Sequence, residues 1–90
     1  MLKYCSYPAV FSYDEDGISI TFPDLPGCLP CADKDNTKGA LKNAEEALKL
    51  HLTGMMQDGE LLPNPTPVTA LNLRANEVPM LIEAIMSSNF

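Results

Sequence analysis

The chain has few basic residues for its length, and this shortage restricts its partners. Its 90 residues contain 6 Lys plus Arg against 12 Asp plus Glu, which gives a formal net charge of -6 at pH 7. A surface with this balance repels phosphate groups and attracts cationic partners. We therefore expect no direct binding of nucleic acid.

Long apolar runs are also missing. The segment from Met1 to Pro8 lacks the apolar stretch of an export signal, and charged residues interrupt the longest helical pattern further along the chain. This composition is typical neither of a secreted precursor nor of a membrane-spanning protein. The sequence predicts a cytoplasmic protein that does not contact a membrane.

Cysteine and histidine are scarce, with three cysteines and one histidine. Cys28 and Cys31 have the Cys-x-x-Cys spacing, but helical periodicity starts several residues later, so no helix N-terminus activates these thiols. A zinc ion needs four ligands. The whole set that could supply them is Cys5, Cys28, Cys31 and His51. Because such thiols are commonly buried as small apolar side chains, we expect no metal and no cofactor, with a Cys3His site as the alternative.

Three short strands are predicted in the first third of the chain. Residues 3–13 combine β-propensity with a following turn signal at Asp16-Gly17. Ile18, Ile20 and Phe22 then alternate with polar residues, which indicates a strand with one buried face. The breaker cluster Pro23–Gly27 ends this strand, and a third strand is predicted from about Cys28 to Ala32.

One long amphipathic helix follows. Asp33, Asp35 or Asn36 can cap its start, and helical spacing begins at Thr37 and ends near Gly59. Apolar side chains recur there every three to four residues, which predicts that one face of the helix covers the sheet. The stripe consists of Leu41, Ala44, Leu48, Leu52 and Met55, widened by Ala40, Ala47 and Met56.

A proline-rich connector, Leu62–Pro67, separates this helix from the last part of the chain. Val68–Leu73 is predicted as a fourth strand, which the helical crossover allows to pair in parallel. From about residue 76 to residue 88 the sequence predicts a second helix. The fold class is therefore α+β in the order β-β-β-α-β-α, with three antiparallel strands and a fourth after the helix in one small mixed sheet. One long helix covers this sheet, and the second helix follows it.

Several local segments, taken together, resemble one protein family. In chain order they are Tyr7-Pro-Ala-Val-Phe11, Asp16-Gly17, Phe22-Pro-Asp-Leu-Pro-Gly-Cys28, Ala40-Leu-Lys-Asn-Ala-Glu-Glu-Ala-Leu48 and Asp58-Gly-Glu-Leu-Leu-Pro63. Over roughly residues 3–73 this arrangement is similar to the N-terminal domain of HicB-type antitoxins. The resemblance implies a partial ribonuclease-H-like fold that binds a HicA-type toxin, a small basic ribonuclease, and blocks its access to messenger RNA.

The sequence also departs from the family pattern. Thr37 stands where the family has an apolar anchor at the start of the helix. Family members continue into a DNA-binding domain, whereas about 17 residues follow Leu73 here, with Arg74 as their sole base. We therefore expect no autorepression through direct DNA binding.

Together these observations predict a single HicB-like domain over residues 1–90 that acts as a non-catalytic antitoxin against a small basic HicA-type toxin. Predicted contacts with this partner, chosen for charge and expected exposure, are Asp24, Asp33, Asp35, Glu45 and Glu46. Small domains bury a limited share of their surface, so a homo-oligomer, dimer or tetramer, is also expected. Its predicted interface consists of Leu71, Leu73, Leu81, Ile82 and Ile85.

Two other function classes compete with this hypothesis. A small-ligand sensor would use an apolar groove between sheet and helix and would have no basic partner. An enzyme would need a nuclease centre around Asp24 or a reactive thiol at Cys28. Two-metal nuclease chemistry requires several converging carboxylates, and no motif places a nucleophile beside His51, so we predict no catalytic residues.

Overall fold

The protein folds as a four-stranded antiparallel sheet that packs against one long helix. The computed structural model describes the backbone of residues 2–87 and the side chains of residues 3–86. Its elements are β1 (Leu2–Asp14), β2 (Gly17–Thr21), β3 (Cys31–Ala32), α1 (Thr37–Gln57), one 3-10 turn (Val68–Ala70) and β4 (Glu77–Ser87). The strand order is β3-β2-β1-β4.

The first hairpin is confirmed. β1 and β2 pair antiparallel, with Val10 opposite Thr21 and Asp14 opposite Gly17. Gly17 has φ 144°, and a Cβ atom at this position would lie 2.7 Å from the carbonyl oxygen of Ala32. A glycine is therefore required where β3 approaches the turn closely.

The third strand is shorter than predicted. It covers Cys31 and Ala32 instead of the range from about Cys28, although the amide of Ile20 still donates to the carbonyl oxygen of Pro30 at 3.0 Å. Pro30 has no amide proton to return, so the ladder stops there.

The long helix is also confirmed. Asn36 is the N-cap residue, and its side-chain oxygen accepts a hydrogen bond from the amide of Gly39 at 3.0 Å. Ala40, Ala44, Leu48 and Leu52 are fully buried against the sheet, as the predicted stripe requires. The described residues include no helix that is both long and apolar enough to cross a membrane.

The prediction for the last part of the chain is wrong. Val68–Leu73 is not a strand: it contains the 3-10 turn and otherwise irregular extended backbone. No helix begins near residue 76, because residues 77–87 form β4, which pairs antiparallel with β1 over its whole length. The sheet is therefore entirely antiparallel instead of mixed. Residue 88, the end of the predicted helix, lies outside the described residues.

The physical reason is that two periodicities overlap in this segment. Val78, Leu81, Ile82 and Ile85 fit a helical stripe, but every even position from residue 78 to residue 86 is also apolar, which fits a strand. The edge of the long β1 strand decides between them, because β4 satisfies its backbone groups. The side-chain amide of Asn76, just before β4, donates to the carbonyl oxygen of Tyr13 at 3.2 Å and thereby holds the start of β4 beside β1.

Candidate partner-binding surface

The breaker cluster after β2 forms a compact turn that is anchored in the core. The amide of Leu25 donates to the carbonyl oxygen of Phe22 at 2.9 Å, and the amide of Cys28 donates to that of Leu25 at 3.2 Å. The three side chains are buried. Gly27 has φ 92°, which lets the chain reverse between Leu25 and Cys28. The turn therefore holds its exposed residues in a fixed position.

Asp24 links this turn to the proline-rich connector. Its carboxylate accepts a hydrogen bond from the amide of Thr66 at 2.9 Å and another from the hydroxyl of the same residue. The hydroxyl of Tyr7, on β1, donates to the carbonyl oxygen of Pro63 at 2.6 Å. These bonds fix the connector against the sheet and the turn.

The helix ends beside the same turn. The amide of Glu60 donates to the carbonyl oxygen of Met55 at 2.9 Å, and the amide of Gly59 donates to that of Met56 at 3.2 Å. With φ 74° at Gly59, this is a Schellman motif. It places the carboxylates of Asp58 and Glu60 at the C-terminal end of α1.

The turn and the second half of α1 enclose a continuous groove with an apolar centre. Leu50, on the helix, is 76% exposed there, and Leu29, on the loop before β3, is also exposed. Leu50 and His51 line both halves of the groove. We call this region the helix–loop surface and define it by eight of its lining residues, namely Asp24, Pro26, Leu29, Pro30, Leu50, His51, Asp58 and Glu60.

The helix–loop surface has a negative rim. Three carboxylates, those of Asp24, Asp58 and Glu60, line the half beside the helix end, and no Lys or Arg is among the described lining residues. The C-terminal end of a helix carries a partial negative charge, which adds to that of the carboxylates. This arrangement favours a partner that combines apolar and cationic side chains.

A second acidic cleft lies at the other end of the sheet. It is lined by the carboxylates of Asp14, Asp16 and Asp33 together with the amides of Asn36 and Asn43. The side chain of Asn43 donates to the carbonyl oxygen of Cys31 at 2.8 Å, so it is already engaged. No large exposed apolar residue is among the lining residues that the structure describes. This cleft therefore lacks the apolar centre of the helix–loop surface.

The five predicted partner contacts do not share one surface. Asp24 lines the helix–loop surface, and Glu46 lies at its margin in a shallow cleft with Leu50. Asp33 lines the acidic cleft at the other end of the sheet. Glu45 faces the β4 edge, together with Glu83. Asp35 is exposed in the turn that precedes α1.

Of the eight residues that define the helix–loop surface, the sequence predicted only Asp24 as a partner contact. The missed residues include the exposed Leu29 and Leu50 and the carboxylates of Asp58 and Glu60. A signal for one of them was present, because Leu50 lies outside the apolar stripe of the helix and thus on its polar side. An exposed leucine on a polar face is weak evidence by itself. Leu29, Asp58 and Glu60 come close to Leu50 only because the turn after β2 folds against α1, which the sequence does not show.

The five residues predicted for self-association lie on different parts of the molecule. Ile82 is buried in the core, facing α1, whereas Leu81 and Ile85 point to the opposite face of the sheet and are 59% and 49% exposed. Leu71 is half-buried and Leu73 is exposed in the irregular segment before β4. No single surface holds all five.

The structural context of the thiols does not favour a reactive centre. Burial raises the pKa of the Cys28 thiol, which keeps this thiol protonated at neutral pH. Cys5 is buried, whereas Cys31 is exposed. Among the residues that the structure describes, no three His, Cys, Asp or Glu side chains converge closely enough to hold a metal ion. Asp24, the carboxylate around which the nuclease alternative would be built, accepts two hydrogen bonds from Thr66.

Comparison with known proteins gives one consistent result. Residues 7–87 match the model of a family described as HicB_like antitoxin of bacterial toxin-antitoxin system. A protein of Haemophilus phage HP1, described as an uncharacterized 14.9 kDa protein in the rep-hol intergenic region, is 37% identical over 62 residues, which cover 69% of this chain and 45% of that protein. Antitoxin HicB 2 of Photorhabdus laumondii is 33% identical over 66 residues, covering 73% of this chain and 46% of that protein.

The fold is similar to that of solved antitoxin structures. One chain of a HicA3 and HicB3 toxin-antitoxin complex aligns with a TM-score of 0.68 and 26% identity, covering 89% of this chain and 98% of that chain. The chain spans less than half the length of the curated relatives that it matches.

Proposed function

This chain belongs to the HicB-like antitoxin family of bacterial toxin-antitoxin systems, and from that membership we propose that it binds a small basic toxin of the HicA type through the helix–loop surface. The bound antitoxin occupies or covers the toxin surface that would receive messenger RNA. No covalent bond is made or broken, and the chain needs no cofactor for this task.

The observation that carries the proposal is the apolar centre of the helix–loop surface within its acidic rim. Leu50 and Leu29 expose apolar side chains that would be desolvated by a partner, while Asp24, Asp58 and Glu60 supply negative charge on the side of Leu50 next to the helix end. Energetically important interface residues cluster in such a centre, and the surrounding polar rim excludes water. The three carboxylates would meet the cations of a toxin that binds RNA.

Charge complementarity also explains why such an inhibitor would compete with RNA. The toxin's cationic surface is built to receive phosphate groups, and carboxylates at comparable spacing can occupy it. With a net charge of -6, the whole chain would be steered towards such a surface, which raises the association rate at low salt. We therefore expect the affinity to decrease as the salt concentration rises.

Rigidity of the surface is part of the proposed mechanism. The hydrogen bonds from Thr66 to Asp24 and from Tyr7 to the connector hold the loop side in place before any partner arrives. A preformed surface loses less conformational entropy on binding than a flexible one does. Affinity would then come from the contacts themselves, without prior folding of a segment.

The test is co-expression of this chain with the short basic protein encoded by a neighbouring gene. We expect the wild-type chain to relieve growth arrest and to co-purify with that protein. Leu50→Arg removes the apolar centre and adds a positive charge that repels the basic partner. We therefore expect the dissociation constant of the complex to rise at least tenfold, corresponding to about 1.4 kcal/mol.

Tyr4→Arg is the matched control, because Tyr4 is 72% exposed, close to the 76% of Leu50, but lies on the far face of the sheet. This variant should bind and protect as the wild-type chain does. Equal binding by Leu50→Arg and Tyr4→Arg would contradict the proposed surface. Absence of inhibition for every neighbouring basic protein would contradict the proposed function itself.

A further inference from the structure

Gly54 leaves an opening in the helix side of the helix–loop surface. It lies inside α1, where glycine is the least favourable residue apart from proline. Leu50, Gly54 and Asp58 follow one another at intervals of four residues, so they lie along one face of the helix. Gly54 lines the groove, and a Cβ atom added to it would meet no heavy atom within 4 Å. The helix therefore presents bare backbone between an exposed leucine and a carboxylate.

The turn after β2 forms the other side of this opening. Asp24 and Pro26 line the same half of the groove as Gly54. Thr66 donates one hydrogen bond to each carboxylate oxygen of Asp24, which fixes this carboxylate in place. Because each carboxylate oxygen can accept more than one hydrogen bond, Asp24 can still bind a further donor. We call the space between the turn and α1 the Gly54 pocket, defined by Asp24, Pro26, Leu50, Gly54 and Asp58.

The Gly54 pocket combines apolar surface with negative charge. Leu50 and Pro26 supply the apolar surface, whereas Asp24 and Asp58 supply carboxylates from two different elements. A side chain with an aliphatic stem and a cationic head matches this arrangement, because the stem packs on the apolar surface while the head meets the carboxylates. Arginine is favoured over lysine, since its guanidinium group is less strongly hydrated and its planar fork of donors can bond to more than one carboxylate.

We propose that the Gly54 pocket receives one arginine side chain of the basic partner, with its stem over Gly54 and its guanidinium group between Asp24 and Asp58. This inference rests on the proposed function and adds the residue that determines which partner side chain the surface accepts. Any side chain at position 54 would project into the space that the arginine fills. Glycine therefore makes α1 less stable than alanine would, but it keeps the pocket open.

A small probe tests the pocket without the partner. N-acetyl-arginine amide is titrated into the isotope-labelled wild-type chain at constant ionic strength, and the backbone amide resonance of Met55, which lines the same half of the groove, is followed by NMR. We expect a saturable shift with a dissociation constant in roughly the millimolar range. N-acetyl-norleucine amide has an aliphatic stem but no guanidinium group, so it should give no saturable shift. Equal shifts with both probes, or no saturable shift with the arginine probe, would overturn the proposal.

Gly54→Leu fills the pocket and tests its role in partner binding. Thr53→Leu is the matched control, because it adds the same side chain one residue away, at a position that is not among the described lining residues of the groove. The Thr53 hydroxyl donates only within α1, to the carbonyl oxygen of Lys49 at 2.7 Å. We expect Gly54→Leu to abolish the arginine-probe shift and to raise the dissociation constant for the basic partner at least tenfold. Thr53→Leu should match the wild-type chain in both.

Stability and binding should change in opposite directions at Gly54. Leucine favours a helix, so Gly54→Leu should unfold at a urea concentration no lower than that of the wild-type chain. Should Gly54→Leu fail to fold, Gly54→Ala decides, since it should weaken the probe in the same direction by a smaller factor. If Gly54→Leu and Thr53→Leu inhibit the basic partner equally well, the pocket proposal is wrong and the proposed function stands. If no basic protein is inhibited, the proposed function fails, whereas saturable binding of the arginine probe would still support the pocket.

Discussion

The two ends of this molecule are stabilised in different ways. Residues 2–57 form a hairpin, a short third strand and a helix, in which each element packs on a neighbour in sequence. Residues 58–87 form an extended connector and β4, which reaches back to pair with β1 across most of the chain. In the first region local pattern and tertiary contacts favour the same structure. In the second, the tertiary contact decides between two local patterns.

The difference shows what a long unpaired strand edge can do to a neighbouring segment. β1 covers 13 residues, but β2 pairs with only the last five of them. The edge of β1 that faces away from β2 also needs a partner, and β4 pairs with this edge over 11 residues. An isolated helix over the same residues would leave the backbone groups of β1 unpaired, which disfavours it.

The sharpest test of this difference is a pair of substitutions within β4. Ala84 is 5% exposed and faces α1, whereas Ile85 is 49% exposed on the far face of the sheet. Ala84→Glu would bury an unpaired carboxylate, so we expect it to lower the free energy of unfolding by at least about 3 kcal/mol. Ile85→Glu should cost less than about 1 kcal/mol.

Urea unfolding followed by circular dichroism measures both changes. A helix built on the stripe of Val78, Leu81, Ile82 and Ile85 would give the reverse ranking, because it would bury Ile85 and expose Ala84. A larger loss for Ile85→Glu would therefore show that the C-terminal region is not the strand described.

Much of residues 2–57 could be predicted because each segment matched a single periodicity. Ile18, Ile20 and Phe22 alternate without an alternative helical stripe, and the stripe through Leu48 and Leu52 spans too many turns for a strand. The sequence predicted where the third strand lies but not its length, because that length depends on the missing amide proton of Pro30. Residues 77–87 fit both the helical and the strand periodicity, and only the unpaired edge of β1 in the folded protein favours the strand.

The candidate site was less accessible to prediction than the fold. Net charge indicated a cationic partner, but charge alone could not show which carboxylates share a surface. Asp24 and Asp58 meet across the helix–loop groove because the turn after β2 folds towards the end of α1. Nothing in the sequence around Asp24 and Asp58 predicts that these two residues line the same groove. Leu50 gave the one local indication, an apolar residue on a polar helix face.

A second test addresses the tight junction within the first region. A Cβ atom at Gly17 would meet the carbonyl oxygen of Ala32 at 2.7 Å, and the φ of 144° is unfavourable for other residues. We therefore expect Gly17→Ala to lower the free energy of unfolding by about 2 kcal/mol or more. Thermal or urea unfolding measures the loss.

Gly54→Ala is the matched control for that substitution. Gly54 lies inside α1, and an added Cβ atom would meet nothing within 4 Å. Alanine favours the helix interior, so this variant should be more stable by roughly 0.5–1 kcal/mol. Equal effects of the two alanines would show that the close approach of β3 to the first turn is not a constraint on the hairpin.

The smallest expected effect concerns the junction between the two regions, where the Tyr7 hydroxyl donates to the carbonyl oxygen of Pro63 at 2.6 Å. Tyr7→Phe removes this bond while keeping the buried ring. We expect a loss of about 1 kcal/mol in the free energy of unfolding at neutral pH, measured by urea unfolding.

The pH dependence of that loss identifies its origin. Burial, together with the nearby Cys5 and Asp24, raises the pKa of the Tyr7 phenol above its ordinary value. Above pH of about 10 the unfolded chain releases this proton before the folded chain does, so the phenol's contribution is fully present below that pH. It is then lost as the pH rises through the folded-state pKa. The difference between wild type and Tyr7→Phe should therefore shrink above pH of about 10, whereas a difference that stays constant would mean that folding does not raise the pKa of this phenol.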